Sequence, residues 1–269
     1  MDEYLDKGFL LARNFVPKNT IDEILNEAQQ VYKIQLLKRG IINSMDIDDN
    51  TLEQGMKRLF REDNKTFINC GKQCQHLISL HRLSLDDKIL SKLKELGLVH
   101  PVISTRPVLF SNCKDLSLSS INHTVPPHQD WASMQGSINS VIVWFPLVDI
   151  PIELGPVCVV PGSHTNGLIS TEKKENFGLV ETDMKYIQYK VNRGDALLFS
   201  SFLVHKSGDN ITDNIRWSCH FRYNDLMDSS FIDRGFPHAY IYRPIEEYIN
   251  PNLDTKKEVQ KVFGNINDA

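Results

Sequence analysis

The chain has 269 residues, a formal net charge of −4, 41% hydrophobic and 24% charged residues, which is enough for one sizeable core without disulfide staples. No long Lys/Arg run is present, so the electrostatic footprint of a nucleic-acid or membrane-surface binder is missing. No stretch approaches the ~20 apolar residues of a membrane helix, and the acidic opening MDEYLDKGFLLARNF has too short an apolar run for a signal segment, so a cytoplasmic protein is expected.

The first hundred residues carry helical signals. Thr20-Ile21-Asp22-Glu23 reads as a capping box, followed by Ile24, Leu25, Ala28, Val31 and Ile34 at the spacing of one apolar helix face. A short second segment carries Leu52, Met56, Leu59 and Phe60, and a third runs from about Thr66 to His81. A fourth is expected to start at Ser84 with Asp87 as its capping partner, to turn Ile89, Leu90, Leu93 and Leu96 inward, and to stop at Gly97. Cys70 and Cys74 form a single C-x₃-C pair with no second pair to complete a zinc site, so they read as helix-spaced core residues. With Cys113, Cys158 and Cys219 they make an odd, scattered set, expected to be reduced thiols.

After Pro101 the signals are strands: 102–110, 140–148, 157–160, 186–191, 196–200 and 215–223. The run Ser140–Val148 is apolar on both faces, as a strand between two layers must be. Turns separate the strands at Leu154-Gly155-Pro156, Pro161-Gly162-Ser163 and Arg193-Gly194-Asp195. Many short strands so punctuated predict a sandwich or barrel. From Leu226 onward, aromatics (Phe231, Phe236, Tyr240, Tyr242, Tyr248) and a polar tail predict a segment that packs on the same domain.

One constellation carries chemistry. His128-Gln129-Asp130 puts an imidazole and a carboxylate two residues apart, on one face if the segment is a strand. Alone, such a pair is more often surface polarity than a metal site. One more imidazole would complete a two-His, one-carboxylate triad, which leaves metal positions open and suits iron(II) and oxygen chemistry. His164, His205, His220 and His238 are the candidates. His205 is the best placed, after the strand-like ALLFSSFLV and before the turn Lys206-Ser207-Gly208. Arg216 and Ser218 would share a strand face, where a guanidinium fork and a hydroxyl suit the far carboxylate of a dicarboxylate such as 2-oxoglutarate.

The ordered set HQD, LGPVCVVPGSHTNG, NRGDALLF, His205, Asn210 and Arg216 resembles the phytanoyl-CoA dioxygenase family of Fe(II)/2-oxoglutarate oxygenases. The opening DKGFLLARNFVPKNTIDEI is similar to that family's first strand, turn and helix, and the likeness covers roughly residues 5 to 225. It implies a mostly β fold with flanking α: a double-stranded β-helix, a cupin-like jelly roll, with N-terminal helices packed outside. The whole chain, 1–269, is then one oxygenase domain, with a helical part to about 100, a jelly-roll core over about 101–225 and a packing segment over 226–269. His128, Asp130 and His205 fall where the family holds iron. Arg216, with Ser218, falls at the 2-oxoglutarate side-chain carboxylate, and Trp144 on the wall of the cosubstrate pocket. Leu154-Gly155 stands where the family often has Asn-Gly, keeping the glycine. Because Asp130 is retained, the resemblance implies hydroxylation of a small organic substrate by O₂, or another outcome of C–H abstraction, rather than halogenation.

For the 2-oxoglutarate C1 carboxylate the sequence offers only Lys114, Ser119 and Asn122, by their upstream position. Substrate-facing loops are expected within 40–75, 111–126, 165–185 and 226–245. His164 reads as a turn hydrogen-bonder, Trp131 as core packing, and His220 as a cavity or core residue. Two rival readings stay open: a cupin-like metal enzyme that uses no 2-oxoglutarate, and a non-catalytic jelly-roll binding protein. Neither substrate nor oligomeric state has a signature in the sequence.

Overall fold

A computed structural model describes residues 2–116, 125–134, 136–169 and 184–229, all within one unit, Met1–Ala239. Ser119, Asn122, His238, the expected packing segment beyond Ser229 and most of the loops 165–185 and 226–245 lie outside the described residues.

A short helix, α1 (Asp2–Lys7), and a strand, β1 (Phe9–Ala12), lead into α2 (Lys18–Lys38). The expected capping box is overturned: α2 begins earlier, with Pro17 at the N-cap position and no side-chain cap, so Thr20 and Glu23 lie inside the helix. Proline's locked φ starts a helix without that help. The buried face of α2 is Ile21, Ile24, Ala28, Tyr32 and Leu36, whereas Ile34 is 53% exposed. Two residues past Tyr32 is about 200° round the helix, so Ile34 cannot share its face.

The second segment is α3 (Asp49–Glu62), capped by the Asp48 carboxylate, which accepts from Thr51 N at 2.7 Å. The third divides into α4 (Asn64–Cys74) and α5 (Ile78–Ser84), and the His81 ring bonds Gln75 O across the corner between them. The fourth, α6 (Asp87–Glu95), is capped by Asp86 rather than Ser84, whose hydroxyl donates to His81 O at the end of α5. A carboxylate beside the first free N–H groups outcompetes a serine already bonded backwards. Residues 49–74, expected to include a substrate loop, are these packed helices instead. Among the described residues no helix is long and apolar enough to cross a membrane, and all five cysteines are buried free thiols.

The remaining strands are β2 (Pro101–Asn112), β3 (Val141–Pro146), β4 (Val157–Val159), β5 (Ile187–Gln188), β6 (Ala196–Ser200), β7 (His205–Ser207) and β8 (Arg216–Asp225), with a one-turn helix, α7 (Trp131–Met134), before β3. They form a five-stranded sheet in the order β1-β6-β3-β8-β2 and a three-stranded sheet in the order β5-β4-β7, antiparallel throughout, which is the expected jelly roll. The β2–β8 register slips at Arg106-Pro107, where proline cannot donate to the ladder.

Strand alternation sorts the larger sheet into two layers. Val141, Val143, Phe145, Trp217, Cys219 and Phe221 face the helices and join one core with Ile21, Ile24, Leu52 and Met56. Ile142, Trp144, Leu197 and Phe199 face the smaller sheet and meet Val159, Val191 and Leu203. This double burial is why β3 reads as apolar at every position. Asp195 pins the exit of β1. Burial works against its charge, but the N–H groups of Asn192 and Asn14 and the Arg13 guanidinium hold its carboxyl below the usual range.

Candidate active site

The two sheets open around a cavity of about 280 Å³, and His128, Asp130 and His205 lie on its wall. His128 and His205 form an isolated β-bridge, exchanging backbone hydrogen bonds of 2.9 and 3.0 Å, and their rings stand 4.1 Å apart. Asp130 does not continue a strand, as the sequence reading assumed: it is a turn residue whose carbonyl accepts from Met134 N as α7 begins. The turn nonetheless carries its carboxylate to the imidazoles, with Oδ1 at 3.8 Å from His128 Nε2 and Oδ2 at 3.8 Å from His205 Nε2. One ligand atom from each residue lies within 4.8 Å of the others.

The tautomers are set by the backbone. His128 Nδ1 donates to Pro126 O at 2.8 Å and His205 Nδ1 to Leu203 O at 2.9 Å, which leaves both Nε2 lone pairs facing the cavity. Burial, and then the neighbouring His128, push the His205 pKa down to about 3, so its imidazole is neutral at ordinary pH. Asp130 is 3% exposed. Burial opposes its charge, but the Arg222 guanidinium, followed by the surrounding histidines, more than offsets this and holds the carboxyl well below the usual range. Neutral imidazoles and an ionised carboxylate are the protonation states that metal binding requires.

From β8, alternate side chains point into the same cavity: Arg216, Ser218, His220 and Arg222. Arg216 is 4% exposed and donates to Gly155 O and, at 3.3 Å, to Ser207 Oγ. Among the described residues no carboxylate pairs with it, and its Nε has no hydrogen-bond partner. Burial pushes its pKa down to about 10, which still leaves it charged at neutral pH. Ser218 Oγ and His220 Nε2 are likewise buried without partners among the described residues. Trp144 lines the cavity and also belongs to the core between the sheets.

Gly155 makes the Arg216 contact possible. Its φ of +71° is left-handed, and a Cβ there would stand 2.5 Å from Gly208 O and 2.8 Å from Asn210 N. Gly155→Ala is expected to cost about 1–3 kcal/mol for the backbone conformation alone, seen in thermal unfolding as a melting temperature lower by about 2–10 °C.

Other sequence candidates resolve simply. His164 Nε2 donates to Leu5 O at 3.0 Å, which makes it the turn hydrogen-bonder expected. Trp131 is half-buried and stacks on Phe202, ring centroids 5.0 Å apart, so it packs from a helix turn rather than from the back of a strand. Lys114 does not line the cavity. The sequence reading missed Ser207 and Arg222. Both were signalled by alternation: Ser207 is two residues after His205 on one strand, and Arg222 extends the Arg-x-Ser-x-His series by one more step.

The family model of phytanoyl-CoA dioxygenase matches residues 4–218, most of the chain. The chain belongs to the phytanoyl-CoA dioxygenase family. Membership makes it an iron- and 2-oxoglutarate-dependent oxygenase. Among curated relatives, a phytanoyl-CoA dioxygenase domain-containing protein 1 homolog of Dictyostelium discoideum is 26% identical over 259 residues, 83% of this chain and 90% of that protein. The peroxisomal phytanoyl-CoA dioxygenase of Homo sapiens is 25% identical over 236 residues, 82% of this chain and 67% of that protein. Among solved structures, the epimerase SnoN in complex with Fe³⁺, alpha ketoglutarate and nogalamycin RO superposes with a TM-score of 0.56 at 18% identity, covering 83% of this chain and 81% of that one, a likeness of fold.

The residues present fit the family's two cofactors. Two imidazole nitrogens and a carboxylate oxygen converge as a facial donor set for iron(II). A buried guanidinium with no acidic partner among the described residues, beside hydroxyl and imidazole atoms that find no partner there, fits an anionic cosubstrate.

Proposed function

We propose that His128, Asp130 and His205 hold Fe(II), and that Arg216 and Ser218 hold the far carboxylate of 2-oxoglutarate against the Trp144 wall. The reaction proposed is hydroxylation of an unactivated C–H of a small polar metabolite by O₂, with release of succinate and CO₂. The observation that carries this reading is Arg216, a buried cation with no carboxylate partner among the described residues, in the same cavity as the triad. Burying a lone charge is costly, so such a group is kept for an anion that arrives with the reaction. A metal enzyme that used no dicarboxylate would have no need of it.

When bound, the iron couples decarboxylation of 2-oxoglutarate to oxidation of the substrate. The chain supplies the rest. The two histidines turn their Nε2 atoms to the cavity, fixed in direction by their Nδ1 hydrogen bonds. Arg216 orients the cosubstrate through its fork and is itself aimed by Gly155 O and Ser207 Oγ. Phe199, Ile142 and Trp144 exclude water from the cavity wall. Asp130 occupies the position that must be small for a halide to bind, which supports hydroxylation over halogenation. We further propose that the whole chain forms one oxygenase domain working in the cytoplasm, where the five free thiols would stay reduced.

Anaerobic titration of the metal-free protein with Fe(II) and 2-oxoglutarate tests this reading. A weak visible charge-transfer band is expected in the parent and not in Asp130→Ala. Iron binding with no such band would favour the cupin-like metal enzyme instead.

A further inference from the structure

Arg222 stands six residues beyond Arg216 on the same face of β8, yet the two guanidiniums have opposite circumstances. Arg216 has no acidic partner among the described residues, whereas Arg222 Nη2 donates to Asp130 Oδ1 at 2.8 Å. Asp130 is thereby treated as the two histidines are. Each member of the triad has one atom tied to the protein: His128 Nδ1 to Pro126 O, His205 Nδ1 to Leu203 O, and Asp130 Oδ1 to Arg222. The histidines keep Nε2 toward the cavity, and both oxygens of Asp130 face them, Oδ1 at 3.8 Å from His128 Nε2 and Oδ2 at 3.8 Å from His205 Nε2. The imidazoles are held by backbone carbonyls. The carboxylate sits on a turn outside any strand, and its tether is a side chain of β8, 92 residues away along the chain.

We propose that Arg222 is a positioning residue for the metal carboxylate: by donating to Asp130 Oδ1 it fixes the direction in which the side chain faces the two imidazoles. This rests on the reading of His128, Asp130 and His205 as the metal ligands. The physical reason is preorganisation. A carboxylate on a turn has no strand to hold its direction, and a metal ligand must be held in one. A guanidinium on Oδ1 competes for its lone pairs and fixes the rotamer. Outer partners that orient a metal ligand in this way govern affinity as well as geometry. The two arginines of β8 thus divide the work: one waits for the anionic cosubstrate, and the other is committed to the metal carboxylate.

Cobalt(II) titration of the intact, metal-free protein tests the role without relying on turnover, because the visible Co(II) absorption reports the coordination number. Arg222→Gln is expected to weaken Co(II) binding by about 10- to 100-fold and to change the intensity and shape of the visible bands. Arg222→Lys, which keeps the charge but not the fork, is expected to show the same changes to a smaller degree. A residue with only a structural role would lower the melting temperature and leave the spectrum of the Co(II)-loaded protein unmoved. A folded Arg222→Gln whose affinity and spectrum match the parent overturns the proposal. Should that variant fail to fold, the lysine variant decides on the same two readouts. His205→Ala, titrated in parallel, separates the two levels of inference. If it loses Co(II) while the Arg222 variants bind as the parent does, only the role of Arg222 fails. If it binds Co(II) like the parent, the triad reading itself fails.

Discussion

His205→Ala is expected to lose metal binding and, with it, turnover by more than the 10- to 100-fold that removing an outer partner of a metal ligand typically costs, on the order of a thousandfold or greater. The argument is one of coordination. Two donors, His128 and Asp130, would remain of a set of three whose ligand atoms lie within 4.8 Å of one another. The loss should be specific to metal and not to folding. His205 is neutral at ordinary pH, since burial and then His128 hold its pKa near 3, so the substitution removes no charge from the core. What folding loses is ring contact with His128 and Phe199, at 4.1 and 4.7 Å between centroids, and one hydrogen bond to Leu203 O, worth about 1 kcal/mol. Iron titration and thermal melting of the metal-free variant check both halves. Parent-like iron affinity in a folded His205→Ala would remove this residue from the site.

Arg216→Met should separate stability from cosubstrate binding. Removing one partner of a buried charge pair costs about 2–5 kcal/mol, so 2-oxoglutarate affinity is expected to fall about thirtyfold or more, with iron affinity nearly unchanged. In the cosubstrate-free protein the sign reverses. There Arg216 is a buried cation with no acidic partner among the described residues, and burial already lowers its pKa to about 10. Exchanging such a charge for an apolar side chain of similar length is often neutral or stabilising. The variant should therefore melt at or above the parent temperature without 2-oxoglutarate, and gain less when it is added. Melting curves with and without 2-oxoglutarate measure both effects. An unchanged 2-oxoglutarate affinity would take Arg216 out of the cosubstrate site.

Much of the site was legible because its residues lie on strands, where period two is rigid. Once 215–223 reads as a strand, Arg216, Ser218 and His220 must share a face, and β8 places them so. The same rule carried Val141–Pro146 as a doubly buried strand. The helical half was less legible at its ends. Several residues can start a helix within one turn, and Pro17, with its locked φ, and Asp86, through its bond to Lys88 N, prevailed over Thr20 and Ser84.

By itself, the sequence determined the donor types, a mostly helical first part before the main run of strands, the strand that carries Arg216 and the family to which these motifs belong. Those features are local, written in periodicity, turn residues and the chemistry of single side chains. Only the tertiary structure decided that Asp130 reaches the imidazoles from a turn, that Gly155 O and Ser207 aim Arg216, and that Arg222 clasps the metal carboxylate. Each of these joins residues far apart in the chain. Such contacts depend on how two sheets close around a cavity, and a sequence spacing does not specify them.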